Sequence, residues 1–394
     1  MPTSPDILIV AGEASGDLHG ARLVQALMAA APSSRIFGIG GDGMAGAGME
    51  LLFHIRDMAV VGFSEVIRHL PFLRKVMARL LAEVERRRPA VVILIDYPGF
   101  NLRLARRLRR QGCKILYYIA PQVWAWGKSR IPKMAKLVEE MAVVFPFEEP
   151  LFAEAGVRTH FVGHPLLEGL SPRLSRREFF AAHGFFEGKP LLGLLPGSRH
   201  HEIMRLLPDM IATAQHLRQR HPGLQIAVGQ APTLPARLYQ EMIPNGEVRL
   251  LSGATYELMR DSTACLVCSG TATLETACFG TPLAIVYRVS RLSYAIGRRL
   301  VKLPHIGLVN VVANRKIAPE FVQEAFQPQH VAEALSPYLQ PTPEREAICQ
   351  ALLQVRERLG TPGASRRTAA IALRLAGWEE SSLPHQSTAE QAGG

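Results

Sequence analysis

The sequence predicts an α/β fold in two halves, each a parallel sheet wound with helices. Three observations predict it. Short apolar runs of strand length alternate with helical segments along most of the chain. Polar, Gly- and Pro-rich residues follow the C-terminal ends of those runs, the edge that carries the site in a doubly wound sheet. The 394 residues are also long for one core, so two domains with a site in the cleft are expected.

Composition narrows the class. Apolar residues make up 48% of the chain, yet no run approaches the roughly 18 needed to span a membrane. The start, MPTSPDILIVAGE, has neither the basic end nor the long apolar core of a signal peptide. The expectation is a cytoplasmic protein in contact with a membrane at most. The formal charge of +11 favours anionic partners. Its basic clusters (103–110 and 291–302) fall on predicted helices without interleaved aromatics, so nucleic acid is not expected. Five cysteines without a regular framework fit a reducing compartment. Cys265-Leu-Val-Cys268 lies inside an apolar strand with no second pair, which suits packing rather than metal or redox chemistry. No D-x-D pair or His cluster suggests a metal, and no cofactor is expected.

Residues 6–11 read as the first strand, followed by a GEASGD loop and a helix over 18–30. A second strand, 35–39, ends in GIGGDG, which satisfies G-x-G-x-x-G at Gly38, Gly40 and Gly43. No amphipathic helix opens there, so it reads as a loop letting backbone approach a ligand or neighbour, not as a nicotinamide site. The stretch 58–81 is apolar on more than one side, carries Arg68, Arg74, Lys75 and Arg79, and is divided by Pro71 into two helices. It reads equally as core helices with a basic outer face or as an apolar patch on an anionic membrane. Strand 90–95 ends at Asp96 before YPGFN and a basic helix. Strands 114–119, 141–145 and 157–162 lead into APQVWAWG, PFEEPLF and GHP.

A basic helix and a glycine turn over 170–189 place the linker near 165–175. Strands near 191–195, 224–229, 247–251, 263–267 and 283–287 then alternate with helices. Beyond 318 the pattern is helical only, over 318–326, 330–339, 344–359 and 365–377, and the tail 379–394 is polar enough for disorder.

Two turns stand out in the second half. LLGLLPGSRHHEI (191–203) is a buried strand, a Pro-Gly turn and a helix start carrying Arg199. Free backbone N–H groups, the positive helix end and a guanidinium suit an anion such as diphosphate, although an ordinary strand–helix turn with a surface arginine has the same sequence. CSGTATLE (268–275) repeats the pattern: Ser269, Gly270 and Thr271 open a helix, and Glu275 one turn on can accept from ribose hydroxyls or serve as a first-turn carboxylate. Asp96, at the end of a buried strand, is a candidate base or the N-cap of the next helix. Glu13, Asp17 and His19 in the first loop are alternatives as the base, and His164 reads as a substrate contact or as part of the hinge.

The ordered set GEASGD, VGFSEV, IDYPGFN, APQVWAWG, FPFE, VGHP, LLPGSRHHEI, SGTATLE and GLVNVVANR…PEFVQE resembles the lipid-A-disaccharide synthase family from about residue 8 to about 375. The resemblance implies two Rossmann-like doubly wound domains facing across a cleft (the GT-B type). It implies an acceptor domain over 1–168, a UDP-sugar domain over 169–342, helices over 343–378 crossing back to the first domain, and the tail. The implied reaction is inverting glycosyl transfer from UDP-2,3-diacylglucosamine to 2,3-diacylglucosamine 1-phosphate, giving a β-1',6 disaccharide 1-phosphate and UDP. The implied setting is the cytoplasmic face of an inner membrane with an anionic surface, and the family pattern allows a homodimer.

Carried onto this chain, Asp96 matches the essential aspartate and Arg199 the diphosphate arginine, with Gly197 and Ser198 its turn. Ser269, Gly270 and Thr271 fall near the phosphates, Glu275 on the ribose, and Asn310 near the sugar nucleotide. Gly12, Glu13, Ser15, Gly16 and Asp17 line the acceptor half. Gly99 stands where many members have a second aspartate, and Val309 where they have proline. The competing readings are another UDP-sugar enzyme of this architecture (UDP-GlcNAc 2-epimerase-like or lipid-II-forming), a non-catalytic lipid-surface binder, and a dehydrogenase resting on Gly38–Gly43. Arg199 separates the first two, since a lipid binder is indifferent to its loss; nicotinamide binding tests the third.

Overall fold

The computed structural model describes residues 5–58, 63–243, 246–290, 294 and 304–378. The tail, the start of VGFSEV and the basic cluster 291–302 apart from Tyr294 lie outside the described residues. The chain divides into two compact units, Met1–Pro165 with Pro362–Gly394, and Leu166–Thr361.

The first unit is built on a parallel sheet of β1 (Asp6–Ala11), β2 (Arg35–Gly40), β3 (Glu50–His54), β4 (Val91–Ile95), β5 (Ile115–Tyr118), β6 (Glu140–Val143) and β7 (Arg158–Phe161), in the order β3-β2-β1-β4-β5-β6-β7. Every residue of β1 and β4 is buried, as a strand covered on both faces requires. Its helices include α1 (Ala14–Ala30), α2 (Asp42–Gly46), α3 (Ile55–Met58), α4 (Phe63–Arg87), α5 (Pro98–Arg110), α6 (Val123–Trp126), α7 (Ile131–Ala135) and α8 (Glu148–Ala153).

Two local expectations change here, and one strand appears that the sequence did not announce. The helix expected from 18 begins at Ala14, because GEASGD is its first turn, with the Asp17 N–H donating to Glu13 O at 2.9 Å. Strand β3 carries no period-2 signal and pairs at the sheet edge. Pro71 lies inside α4 and does not split it. Proline removes one helical donor, and packing makes up that loss: Val76, Leu80 and Val84 are buried in the core, with Phe72 and Leu73 against it and Arg74 and Lys75 exposed.

The second unit repeats the plan with β8 (Leu191–Leu195), β9 (Gln225–Gln230), β10 (Arg249–Ser252), β11 (Ala264–Cys268), β12 (Leu283–Tyr287) and β13 (Glu320–Val322), all parallel, in the order β10-β9-β8-β11-β12-β13. Its described helices are α9 (Arg176–Ala182), α10 (His200–Arg220), α11 (Ala236–Gln240), α12 (Thr255–Asp261), α13 (Thr271–Cys278), α14 (Leu308–Ala313), α15 (Pro328–Leu335) and α16 (Pro343–Arg358). Helix α17 (Ala364–Leu375) belongs to the first unit, where it packs on α1. The expected helix over 318–326 is instead β13, paired Ile285 to Glu320 and Tyr287 to Val322, followed by a 3-10 turn. Three residues are too few to display a strand period.

Both sheets reverse their strand order beside the first strand, between β1 and β4 and between β8 and β11. In doubly wound sheets ligands bind at that reversal, outside the carboxyl ends of the strands.

Candidate active site

At the first reversal the chain leaves β4 through two consecutive left-handed residues, Asp96 (φ 42°) and Tyr97 (φ 47°). Such backbone is costly for residues with a Cβ and persists only where the surroundings hold it. Two side chains do so. The buried Asn101 amide donates to Ile95 O (3.1 Å) and Asp96 O (2.8 Å), and the Tyr117 hydroxyl donates to Asp96 O (2.6 Å). The Tyr97 ring lies over Gly12, whose added Cβ would fall 2.1 Å from a ring carbon. The N-cap of α5 is Tyr97, so Asp96 is not the cap that its sequence position allowed. Burial, and then the charge of Glu13, push the Asp96 carboxyl up from 3.8 to about 6. That is a useful value for a base at neutral pH.

The remaining first-loop residues separate. Glu13 and Ser15 are exposed at the start of α1, and Gly16 packs on Ala11. Asp17 accepts from the backbone N–H groups of Gly41 (2.6 Å), Gly43 (3.0 Å) and Met44 (3.0 Å). The glycine motif therefore presents its donors to a side chain of this unit, so its close backbone approach serves a neighbour. Position 99 has open space around it, so packing does not dictate the glycine there.

Sequence reasoning assigned no role within FPFE, where the fully buried Glu148 organises the ends of β5 and β6. Its carboxyl accepts from Trp124 Nε1 (2.9 Å), Phe145 N (3.1 Å) and Val144 N (3.3 Å). Phe145 and Phe147 stack at 5.4 Å, both edge-on to Trp124, and His164 lies 5.1 Å from Phe145. Burial raises Glu148 to about 7 and depresses His164 to about 3, leaving the imidazole neutral. A carboxylate followed by no acceptor-seeking motif gives no sequence signal; burial reveals it.

At the second reversal the two anion-type turns leave neighbouring strands, since β8 and β11 pair directly. The first is not an open cradle. Ser198 N (3.0 Å) and Arg199 N (3.2 Å) both donate to Glu202 Oε2, and Arg199 Nη1 donates to Glu202 Oε1 (3.1 Å). Gly197 has φ 110°, and a Cβ there would meet Glu202 Oε2 at 2.3 Å, so glycine is required twice over. The expectation of free N–H groups on Ser198 and Arg199 is thus corrected: a first-turn carboxylate, favoured by the helix dipole, has taken them.

The second turn is more open. Gly270 caps α13 with open space around it, and Thr271 is exposed. Ser269 Oγ donates to Ile306 O (3.2 Å). Glu275, in the second turn of α13, accepts from the Tyr256 hydroxyl (3.2 Å), and burial raises its carboxyl. Asn310 is fully buried with its amide saturated: Nδ2 donates to Ala318 O and Glu320 Oε1, and Oδ1 accepts from Ile317 N and Ala318 N. Glu320 also accepts from Ile306 N and Gly307 N, both at 3.0 Å, so Asn310 and Glu320 together brace the loop docked on Ser269. Val309 is the second residue of α14, in the first turn, where a proline is also tolerated. Cys265 and Cys268 are buried thiols pushed up to about 12, as packing residues should be.

A family model described as Lipid-A-disaccharide synthetase matches residues 7–374. The chain belongs to this family. Among its relatives, the lipid-A-disaccharide synthase of Syntrophus aciditrophicus (strain SB) is 46% identical over 372 residues, covering 94% of this chain and 97% of its own. That of Myxococcus xanthus (strain DK1622) is 40% identical, with 95% and 98% covered. The family makes the protein a glycosyltransferase of lipid A disaccharide synthesis, acting on UDP-sugar and lipid substrates. Solved structures share the fold at low identity. The glycotransferase of kitacinnamycin aligns with TM-score 0.62 at 15% identity over 95% of this chain and all of its own. The UDP-GlcNAc 2-epimerase of Neisseria meningitidis, bound to UDP-GlcNAc, aligns at 0.64 and 10% over 94% and 100%. Both units are therefore the paired Rossmann-like domains of the GT-B type. Among the described residues no helix is long and apolar enough to cross a membrane.

Proposed function

We propose that the chain transfers 2,3-diacylglucosamine from UDP to the 6-hydroxyl of 2,3-diacylglucosamine 1-phosphate with inversion. The first unit binds the acceptor and the second the donor. Asp96 takes the proton of the attacking hydroxyl as its oxygen bonds to the anomeric carbon. The bond from that carbon to the UDP oxygen breaks, and the Arg199 guanidinium meets the charge gathering on the departing diphosphate. Gly270 and Thr271 present the α13 N-terminus to the same anion, and Glu275, set by Tyr256, faces the ribose hydroxyls. Gly12, Glu13 and Ser15 border the acceptor next to Asp96. The observation that carries this reading is placement: Asp96 stands at the strand-order reversal of one sheet, Arg199 and Gly270 at that of the other.

Turnover of the two purified substrates in detergent, with disaccharide and UDP both quantified, tests it. Disaccharide formation that survives Asp96→Asn with less than a tenfold loss would remove Asp96 as base.

We also propose that the protein docks, from the cytoplasm, on an anionic membrane through the exposed Arg74 and Lys75 of α4. Vesicles containing phosphatidylglycerol should co-sediment the protein more than neutral ones, and Arg74→Glu with Lys75→Glu should erase the difference. These side chains are better probes than Phe72 and Leu73, which pack on the core.

A further inference from the structure

Glu202 does more than close a helix end. Its Oε2 takes the N–H groups of Ser198 and Arg199, and its Oε1 takes Nη1 of Arg199 at 3.1 Å. The first two bonds complete a capping arrangement that a glutamine at the same position could also make. The third is not needed for the cap. It falls on the guanidinium assigned to the donor diphosphate.

The Arg199 side chain is 68% exposed while that of Glu202 is 12% exposed. A long exposed arginine loses much rotamer freedom on meeting a phosphate. A nearly buried carboxylate, itself fixed by two backbone donors, has little freedom left to lose. Tethering Nη1 to it orients the planar fork in advance and leaves its remaining N–H groups for phosphate oxygens. The turn is anchored from the other side as well, with Thr233 Oγ1 donating to Ser198 O at 3.3 Å.

We propose that Glu202 is a positioning residue for donor binding, acting through Arg199 by holding its guanidinium in the orientation that receives the diphosphate. This rests on the donor-site reading above. It also implies that Ser198 and Arg199 contribute no backbone N–H to the phosphates, so the backbone donors come from the α13 turn.

The test is a double-mutant cycle on the full chain, with UDP as the probe: wild type, Glu202→Gln, Arg199→Ala and the double variant, by calorimetry, with an unfolding midpoint for each. Losing a charge-assisted bond that orients the arginine should weaken UDP binding about tenfold in Glu202→Gln. In the Arg199→Ala background the same change should alter UDP affinity less than about twofold. Unchanged or tighter UDP binding in Glu202→Gln overturns the proposal, because the carboxylate then merely repels the diphosphate. An equal loss in both backgrounds, together with a lowered midpoint, also overturns it and leaves a cap alone. Wild type that fails to bind UDP defeats the donor-site reading itself, a result distinct from either failure of the cycle.

Discussion

A half-buried carboxylate on a strained strand end is the residue proposed as the base. Asp96 titrates at about 6 because burial opposes its charge and Glu13 adds to the opposition. As a base it must be ionised, so kcat/KM should rise with pH through about 6 and level off above it. A profile flat between about pH 5 and 8 would reassign the base. The same shift bears on stability, and its sign follows from linkage. The folded pKa lies above the ordinary 3.8, so the contribution of this group is greatest below that value and is lost as pH rises through about 6. Asp96→Asn should therefore raise the unfolding free energy by about 1–3 kcal/mol near pH 8 and by little near pH 4, while removing activity. Chemical denaturation at the two pH values reads this directly.

At the scale of elements, what matters is how strand ends are held. Tyr117 on β5 and Asn101 on α5 converge on Asp96 O and fix a left-handed pair that nothing local favours. Tyr117→Phe deletes one buried hydroxyl and should cost about 1 kcal/mol of stability, yet lower kcat by more than that loss suggests, because the carbonyl it releases carries Asp96. Equal kcat in Tyr117→Phe and wild type would show that Asn101 suffices. The Pro196-Gly197 turn poses the opposite problem, since no side chain is tolerated. Gly197→Ala should destabilise the second unit by about 1–3 kcal/mol, through both the positive φ and the encounter with Glu202. Arg199 was legible in the sequence because PGSR followed an apolar run; Glu202 looked like any first-turn acid. What distinguishes it is where its carboxylate lies.

Over the whole molecule, each unit has its own buried core, one around Val10, Phe37 and Leu94 and the other around Leu194, Met210 and Leu266. A ligand of one unit should therefore protect that unit first. Saturating UDP should slow hydrogen exchange in segments 196–203 and 269–276, with smaller changes across 91–101. Protection centred on 91–101 would move the donor site to the first unit.

Much of this was available from the order of residues alone. The alternation of apolar strands with helices, the punctuated C-terminal strand ends and the ordered motifs pointed to paired doubly wound sheets and to the family, because strand burial and turn chemistry are written locally. Local pattern failed where local preference was overruled. Helix α4 runs through Pro71 because core packing outweighs one missing bond, and β13 is a strand because β12 lies beside it. The site residues divide in the same way. Asp96, Arg199 and Glu275 could be nominated as candidates from sequence, since polar residues that follow an apolar run, or sit in the helix opening after it, are visible there. The buried Glu148, the saturated amide of Asn310 and the Glu202 beneath the Arg199 turn could not. Their roles depend on partners distant in sequence or on the direction of one carboxylate, and folding sets both by closing polar groups away from water, where each must find a partner.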